Sequence, residues 1–352
     1  MIKKEIWEKF NKKNVLITGG TGMIGRKICD LLVENTSAHV VSVSLDKIQN
    51  LNKKVIYRYG DLSDFSGFYE LLKQHNIHYV FHTAGIKGSP KVTKEKPASF
   101  FVPLLQMNTN VLEASRRANV EKLIYTSSIG AYPAFKIIDQ LEGYDLYKPL
   151  EVFKESDDTP LPPMDEYPGW AKRMGEHQIM TYKIQHGLVD YKFVRLGNVY
   201  GEGDNFDADN AMVIPSLMSK ILKYKEENNL THPPIIVLGD GTAIRDFCYS
   251  EDIAQGIILA LMTDYTLPFY NLGGGEGISI KELVETLKDI IGFEYNFSEE
   301  KSKPSKRVLD ISLARHELGY NFLTSLKLGL EKTWNWYMEN QNEYKLRKNY
   351  FR

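Results

Sequence analysis

The residues best placed to do chemistry come early: Thr18-Gly19-Gly20-Thr21-Gly22-Met23-Ile24-Gly25, with glycines at 19, 22 and 25. They stand between an apolar run, residues 13–18, and a segment with helical periodicity through Ile24, Ile28, Leu31 and Leu32. In a strand-to-helix loop of this kind the first glycine allows the sharp turn and the second lets backbone approach a pyrophosphate. The third permits close helix–strand packing. The helix N-terminus, with the N–H groups of Met23 and Ile24, faces the anion. The spacing and context therefore predict a dinucleotide-binding loop. Asp46 follows Gly25 by 21 residues, just past the second expected strand. A carboxylate there accepts a hydrogen bond from the adenosine ribose 2′-hydroxyl and repels a 2′-phosphate. NAD is the expected cofactor, with NADP tolerated through the neighbouring Ser44 and Lys47. Metal chemistry is not expected, because two cysteines (Cys29 and Cys248) and eight scattered histidines offer no ligand spacing.

A phosphate loop works only if a sheet and its helices hold it. Strands are expected at residues 13–18, 39–44, 55–58, 79–83, 122–127 and 191–195, with helices between them near 66–75, 104–118 and 169–186. Such alternation implies βαβ units, right-handed crossovers and a parallel sheet. The expected fold class is α/β, a doubly wound parallel-sheet Rossmann domain with a smaller α/β substrate-binding lobe. Past Gly197 the pattern changes to a polar stretch at 201–210, a helix near 214–222, a strand at 235–238 and a helix at 279–291. Ser279 and Glu282 are spaced there as a capping box. The expected division is 1–196 plus 235–262 for the NAD(P)-binding domain, 197–234 plus 263–338 for the lobe, and 339–352 as a polar tail. Residues 1–14 read as a short amphipathic helix around Ile6, Trp7 and Phe10.

Composition narrows the partners. The chain has 44 Lys+Arg against 45 Asp+Glu, a formal net charge of −1, which argues against a nucleic-acid-binding surface. No segment approaches the ~18 continuous apolar residues of a membrane span. A cytoplasmic protein without a membrane partner is expected, and two distant cysteines agree with a reducing compartment.

Later segments carry a resemblance. They are Gly60-Asp61-Leu62, Phe81-His82-Thr83-Ala84-Gly85, Asn108, the run Tyr125-Thr126-Ser127-Ser128-Ile129-Gly130-Ala131-Tyr132, Lys172, RLGNVYG at 195–201 and GDGTAIRDF at 239–247. In this order, over residues 13–338, they resemble the extended short-chain dehydrogenase/reductase family, and within it the nucleotide-sugar epimerases and reductases. Asp204-Asn205-Phe206-Asp207 followed by Val213-Ile214-Pro215-Ser216-Leu217 is similar to the GDP-fucose synthase branch.

The resemblance implies an NAD(P)-dependent epimerase or ketosugar reductase that transfers hydride at C4 of a nucleoside-diphosphate sugar, and its fucose-synthase-like motifs point to a GDP link. It implies a homodimer through a four-helix interface. Asp61, Leu62, Ala84, Asn108 and Lys172 would contact the cofactor, and Ser128, Asn198, Asp207 and Arg245 the substrate. Catalysis would rest on a tyrosine phenol, a lysine that lowers its pKa from ~10, and a hydroxyl bonded to the same oxygen. Ser128 takes the hydroxyl role, with Thr126 as fallback, and Lys172 the lysine role. The tyrosine departs from the pattern: Pro168 stands four residues before Lys172, and Tyr167 five. Tyr167 is the displaced candidate, expected just outside the helix, with Tyr144 or Tyr147 next. Ile129 and Gly130 replace the Asp-Glu pair of the 4,6-dehydratase branch, and Gly130 falls at the cysteine of the fucose synthase branch. Neither dehydration nor double epimerisation of those kinds is expected. Residues 133–166 are longer than the resemblance implies and are expected to cover the sugar site. The alternative of another class is a cofactor-binding sensor or scaffold with little catalysis.

Overall fold

Seven short strands, almost continuously apolar, form one parallel sheet. They are β1 (Asn14–Thr18), β2 (His39–Ser44), β3 (Ile56–Tyr59), β4 (Tyr79–His82), β5 (Lys122–Ser128), β6 (Tyr191–Leu196) and β7 (Phe269–Leu272). Their order across the sheet is β7-β6-β5-β4-β1-β2-β3, every pairing parallel. Runs such as Val15–Ile17 and Leu123–Tyr125 are fully buried, as strands covered on both faces must be. The order reverses between β1 and β4, so their carboxyl ends border the crevice in which doubly wound sheets bind ligands. The computed structural model describes residues 2–47, 51–137, 147–207, 210–228, 232–264, 267–298 and 305–342.

The helices are α1 (Met23–Asn35), α2 (Phe65–Gln74), α3 (Ala98–Arg117), α4 (Glu166–His186), α5 (Val213–Asn228), α6 (Ser250–Met262), α7 (Ile280–Ile291) and α8 (Leu326–Glu339). Helices α1 to α4 and α6 flank the sheet: α1 packs with α6, and α3 packs between α2 and α4. The N-terminal helix Lys4–Glu8 leads to Phe10, fully buried against the rings of Tyr79 and Phe81 at 5.8 and 6.2 Å. Ser279 caps α7, accepting from Glu282 N–H at 3.1 Å. Among the described residues no helix is long and apolar enough to cross a membrane.

A second apolar core joins Tyr200, Phe206, α5, Ile235, Val237, Phe247, Tyr249, α7 and α8. The two cores exchange chain at different points from those expected. Ile235, Val237, Phe247 and Tyr249 side with the smaller core and Cys248 with the larger, while β7 extends the main sheet by pairing with β6. The tail expectation falls mostly on residues 343–352, outside the described residues.

The described part of the insertion carries structure of its own. Phe135–Ile137 pairs antiparallel with Tyr147–Pro149, and Val152–Phe153 pairs parallel with Val308–Leu309. Phe153 is fully buried, its ring 5.4 Å from that of Tyr132. Asn271 of β7 donates to Phe153 O at 3.0 Å and, from its backbone, to Glu155 Oε1 at 2.9 Å. Buried aromatic and amide contacts thus fix residues 150–165 at the carboxyl end of the sheet. Only 138–146 lie outside the described residues.

Candidate active site

The four loop glycines serve different ends. Gly19 has φ +70°, and a Cβ on it would stand 2.9 Å from Ala84 Cα. A Cβ on Gly20 would lie 2.3 Å from Ser42 Oγ, and one on Gly25 2.4 Å from Gly19 O, so both are required for packing. Gly22 is the exception: a Cβ there would meet only Gly19 O, at 3.2 Å. Gly22 is also the N-cap of α1 and supplies no side-chain cap. The N–H groups of Met23 and Ile24 therefore open onto space that the fold leaves clear, as a bound pyrophosphate requires.

Asp46, half-buried past β2, accepts from the Thr21 hydroxyl at 2.9 Å, which brings its carboxylate to the phosphate loop. Lys47 lies 5.1 Å from the Tyr59 ring centroid. Asp61 accepts from Ser63 N–H and O–H at 2.9 and 2.8 Å, and the buried Leu62 offers its carbonyl to Asn110 of α3 at 2.9 Å. These bonds set the turn between β3 and α2.

Behind the loop runs an enclosed polar chain. Ala84 N–H donates to Thr18 Oγ1 at 3.2 Å, and Thr18 Oγ1 lies 2.8 Å from His82 Nδ1. Asn108 donates through its amide nitrogen to Tyr125 OH at 3.0 Å and to Ala171 O at 3.3 Å. A carbonyl only accepts, so the amide oxygen of Asn108 must face His82 Nε2, at 3.0 Å. His82 then carries its proton on Nε2 and accepts from Thr18. Burial pushes its pKa down to about 3, so the ring is neutral. Asn108, expected at the cofactor, is 1% exposed and tied inside this chain. It holds the residue before Lys172 to the sheet, and that role corrects the expectation.

Three hydroxyls compete at the end of β5. Thr126 Oγ1 donates to His82 O at 3.1 Å, and Ser127 Oγ is bonded to the buried Glu176. Glu176 is itself gripped by the fully buried Arg195 at 2.9 and 2.6 Å. Ser128 alone is half-exposed, and its Oγ accepts from Gly130 N–H at 3.0 Å, leaving its own proton to donate. Lys172 Nζ donates to Thr126 O at 2.7 Å and lies 5.0 Å from the Tyr125 ring centroid. Loss of hydration lowers its pKa to about 8, against the opposing pull of Glu176. A Cβ on the exposed Gly85 would lie 3.7 Å from that ammonium, so Lys172 borders the open end of β4.

Tyr167 differs from its expected place. It is the second residue of α4, inside the first turn, 45% exposed, with its ring edge-on to Phe101 at 6.1 Å. Five residues along one helix rotate by ~140°, so Tyr167 and Lys172 do not share a face.

The other substrate candidates come from three later segments of the chain. Arg245 Nη1 donates to Ser305 O and Oγ, each at 3.1 Å, and Arg245 pairs in register with Arg307 on the adjacent strand. Burial and Arg307 both depress the Arg245 pKa. Arg307, which no motif marked, donates to Asp165 at 2.7 Å. Two neighbouring guanidiniums with one carboxylate are a donor set suited to an anion. Asn198 follows β6, and its amide nitrogen is buried without a partner among the described residues. Such a donor is costly unless a ligand satisfies it. Asp207 accepts from Asn210 at 2.9 Å, within its own loop. That loop is anchored by Lys87 on the buried Asp204 at 3.0 Å and by Lys27 on Glu202 at 3.0 Å.

Comparison with known proteins places this arrangement. Residues 15–273 match the model of the NAD dependent epimerase/dehydratase family. A probable GDP-L-fucose synthase 1 of Oryza sativa subsp. japonica is 30% identical, the match covering 93% of this chain and 92% of the relative. The structure of a UDP-glucose 4-epimerase with UDP-glucose from Thermotoga maritima superposes with a TM-score of 0.75 at 25% identity, covering 93% of this chain and 99% of that one. A GDP-L-fucose synthetase from Naegleria fowleri bound to NADP shares the fold, with a TM-score of 0.73 at 21% identity over 94% of each chain.

Proposed function

The chain belongs to the NAD dependent epimerase/dehydratase family, and on that premise we propose that it is an NAD(P)-dependent nucleotide-sugar epimerase or ketosugar reductase acting at C4. The observation that carries this reading is the single free hydroxyl at the end of β5. Ser128 lies two residues from Thr126, whose carbonyl holds Lys172, and two from Gly130, against which Asp165, the partner of Arg307, is packed.

The dinucleotide would be held by the N–H groups of Met23 and Ile24, by Asp46 at the ribose and by the 61–62 turn, with Ala84 beside Gly19. Bound there, its nicotinamide supplies hydride exchange with a sugar carbon. Asp46 favours NAD over NADP. Arg245 and Arg307 would clamp the sugar-nucleotide diphosphate, and the unpartnered amide of Asn198 would donate to it. Ser128 donates to the reacting sugar oxygen with Lys172 close by, and Tyr167, which lies on another face of α4 from Lys172, supplies the acid–base phenol by swinging its ring toward Ser128. The 204–207 and 213–217 motifs and the rice relative support a GDP-linked sugar.

A homodimer through α3 and α4 is supported by Val102, Trp170 and Met174, which are 47%, 38% and 48% exposed on these two packed helices. The balanced charge supports a cytoplasmic enzyme with no nucleic-acid or membrane partner.

The test is turnover of GDP-, UDP-, CDP- and dTDP-sugars by purified protein with NAD(H) or NADP(H), read by nicotinamide absorbance and product analysis. An epimerase yields a new sugar without net absorbance change, and a reductase consumes one reduced nicotinamide per sugar. Cofactor binding with no turnover of any sugar would restore the sensor or scaffold alternative, which the resemblance to these enzymes disfavours.

A further inference from the structure

Position 130 is empty of side chain at the point where the family resemblance calls for one that touches the sugar. The structure fills that space from elsewhere. An ideal Cβ on Gly130 would lie 2.3 Å from Asp165 Oδ2 and 2.8 Å from Asp165 Cγ. We propose that Asp165 is a substrate-contact residue whose carboxylate stands in the space vacated at position 130 and accepts hydrogen bonds from hydroxyls of the sugar ring. This rests on the nucleotide-sugar reading above and adds the group that recognises the sugar.

Three features show that the carboxylate is aimed. Asp165 is the N-cap residue of α4, where aspartate ordinarily accepts from the helix's own N–H groups, yet its side chain makes no such bond. The next residue, Glu166, has φ +36°, a left-handed conformation that a side-chain-bearing residue adopts only when its surroundings impose it. The backbone is pinned as well. Asp165 N–H donates to Gly130 O at 3.2 Å, and a Cβ on Gly169 would come within 2.5 Å of the same oxygen. Helix α4 therefore starts flush against Gly130, and the carboxylate is turned away from the helix.

Its neighbours say what it faces. Oδ1 is held by Arg307 at 2.7 Å, and Arg307 adjoins Arg245, the other half of the diphosphate clamp. Position 130 lies two residues past Ser128, whose hydroxyl Gly130 N–H engages. Asp165 thus touches both the clamp, through Arg307, and Gly130, the residue that engages the reacting hydroxyl. A hexose that joins a diphosphate to the reacting carbon must cross this interval. The carboxylate is 39% exposed, open to a ligand, and an ionised carboxylate offers only acceptors, which suits sugar hydroxyls.

The experiment is calorimetric titration of the NADH-loaded protein with GDP, UDP, GDP-mannose, GDP-L-fucose and UDP-glucose. The readout is the gain in affinity of the best-bound nucleotide sugar over its own nucleoside diphosphate. Asp165→Asn keeps the shape and removes the charge. It is expected to cut that gain about tenfold while leaving affinity for the free nucleoside diphosphate equal or higher. Gly130→Ala, which would push the carboxylate aside, is expected to cost the same gain, and to cost nothing more when added to Asp165→Ala. The proposal is overturned if Asp165→Asn keeps the full gain, or if it weakens nucleoside diphosphate and nucleotide sugar equally, since Asp165 would then act only through Arg307. Wild-type protein that binds nucleoside diphosphates and their sugars alike overturns it too. Wild-type protein that binds none of these five ligands, nor the CDP- and dTDP-sugars of the turnover panel, instead refutes the nucleotide-sugar reading, and this inference with it.

Discussion

At Gly22 and Gly25 the addition of one methyl group has opposite consequences. A Cβ on Gly25 would sit 2.4 Å from a backbone oxygen, so Gly25→Ala must shift the loop or the helix and is expected to cost roughly 1–3 kcal/mol. Gly22→Ala meets only one oxygen at 3.2 Å, and its stability should change by less than about 1 kcal/mol. Its methyl group enters the space of the pyrophosphate, so NADH affinity should fall at least tenfold, and Gly22→Val should abolish it. Urea unfolding and fluorescence titration of the two alanine variants separate the effects. If Gly22→Ala binds NADH normally, the dinucleotide does not approach there. Lys172 gives a second test. With its pKa lowered to about 8, the ammonium is charged below that pH and neutral above it. Affinity for an anionic cofactor should therefore fall as pH rises through 8. In Lys172→Met the affinity should be low at neutral pH, and the inflection absent. A wild-type titration flat from pH 6.5 to 9.5 would detach Lys172 from the cofactor.

Among the elements, α4 carries the argument that the sequence left half told. Its phase placed Lys172, but Asp165 reads in sequence as an ordinary helix cap, and nothing local signals that its carboxylate leaves the helix for Gly130. Arg307 was hidden for a similar reason. It lies in a four-residue strand, Lys306–Leu309, whose partner is set by long-range pairing with Arg245 and not by any motif. The short strands inside the insertion were not legible because segments of two or three residues, such as Val152–Phe153, carry no periodic signal. Tyr167 remains the phenol candidate from the start of α4. If it is the acid–base group, Tyr167→Phe should lower turnover on the order of 10²-fold with little effect on nucleotide-sugar affinity. Normal turnover by that variant would move the role to Tyr144 or Tyr147, or remove the phenol from the mechanism.

For the molecule as a whole, the parallel sheet was legible because its central strands are apolar runs punctuated by turn residues, a pattern that burial on both faces enforces. The second core was less so: Ile236 and Leu238 are 67% and 75% exposed, and its segments join through pairings distant in sequence. What ties the main body together is more polar than its composition implies. Through Thr18, His82, Tyr125, Asn108 and Ala171, one buried chain links β1, β4, β5, α3 and α4. His82 is neutral there, with its pKa lowered to about 3 from an ordinary 6.5. The unfolded chain therefore binds one more proton than the folded one between those values. Stability contributed by the neutral ring is fully present above about pH 6.5 and is lost as pH falls toward 3, at ~1.4 kcal/mol per pH unit. Asp246, raised to about 6 by burial, acts in the opposite direction over part of this range, so the wild-type profile alone is ambiguous. The difference between wild type and His82→Gln removes Asp246 from the comparison. Glutamine keeps an amide in the chain but takes up no proton. The advantage of the wild type in urea unfolding should shrink by ~1.4 kcal/mol per unit as pH drops from 6 to 4. An advantage that stays constant across that interval would mean that His82 can take a second proton without breaking the chain, and that the link between sheet and α4 does not depend on its neutrality.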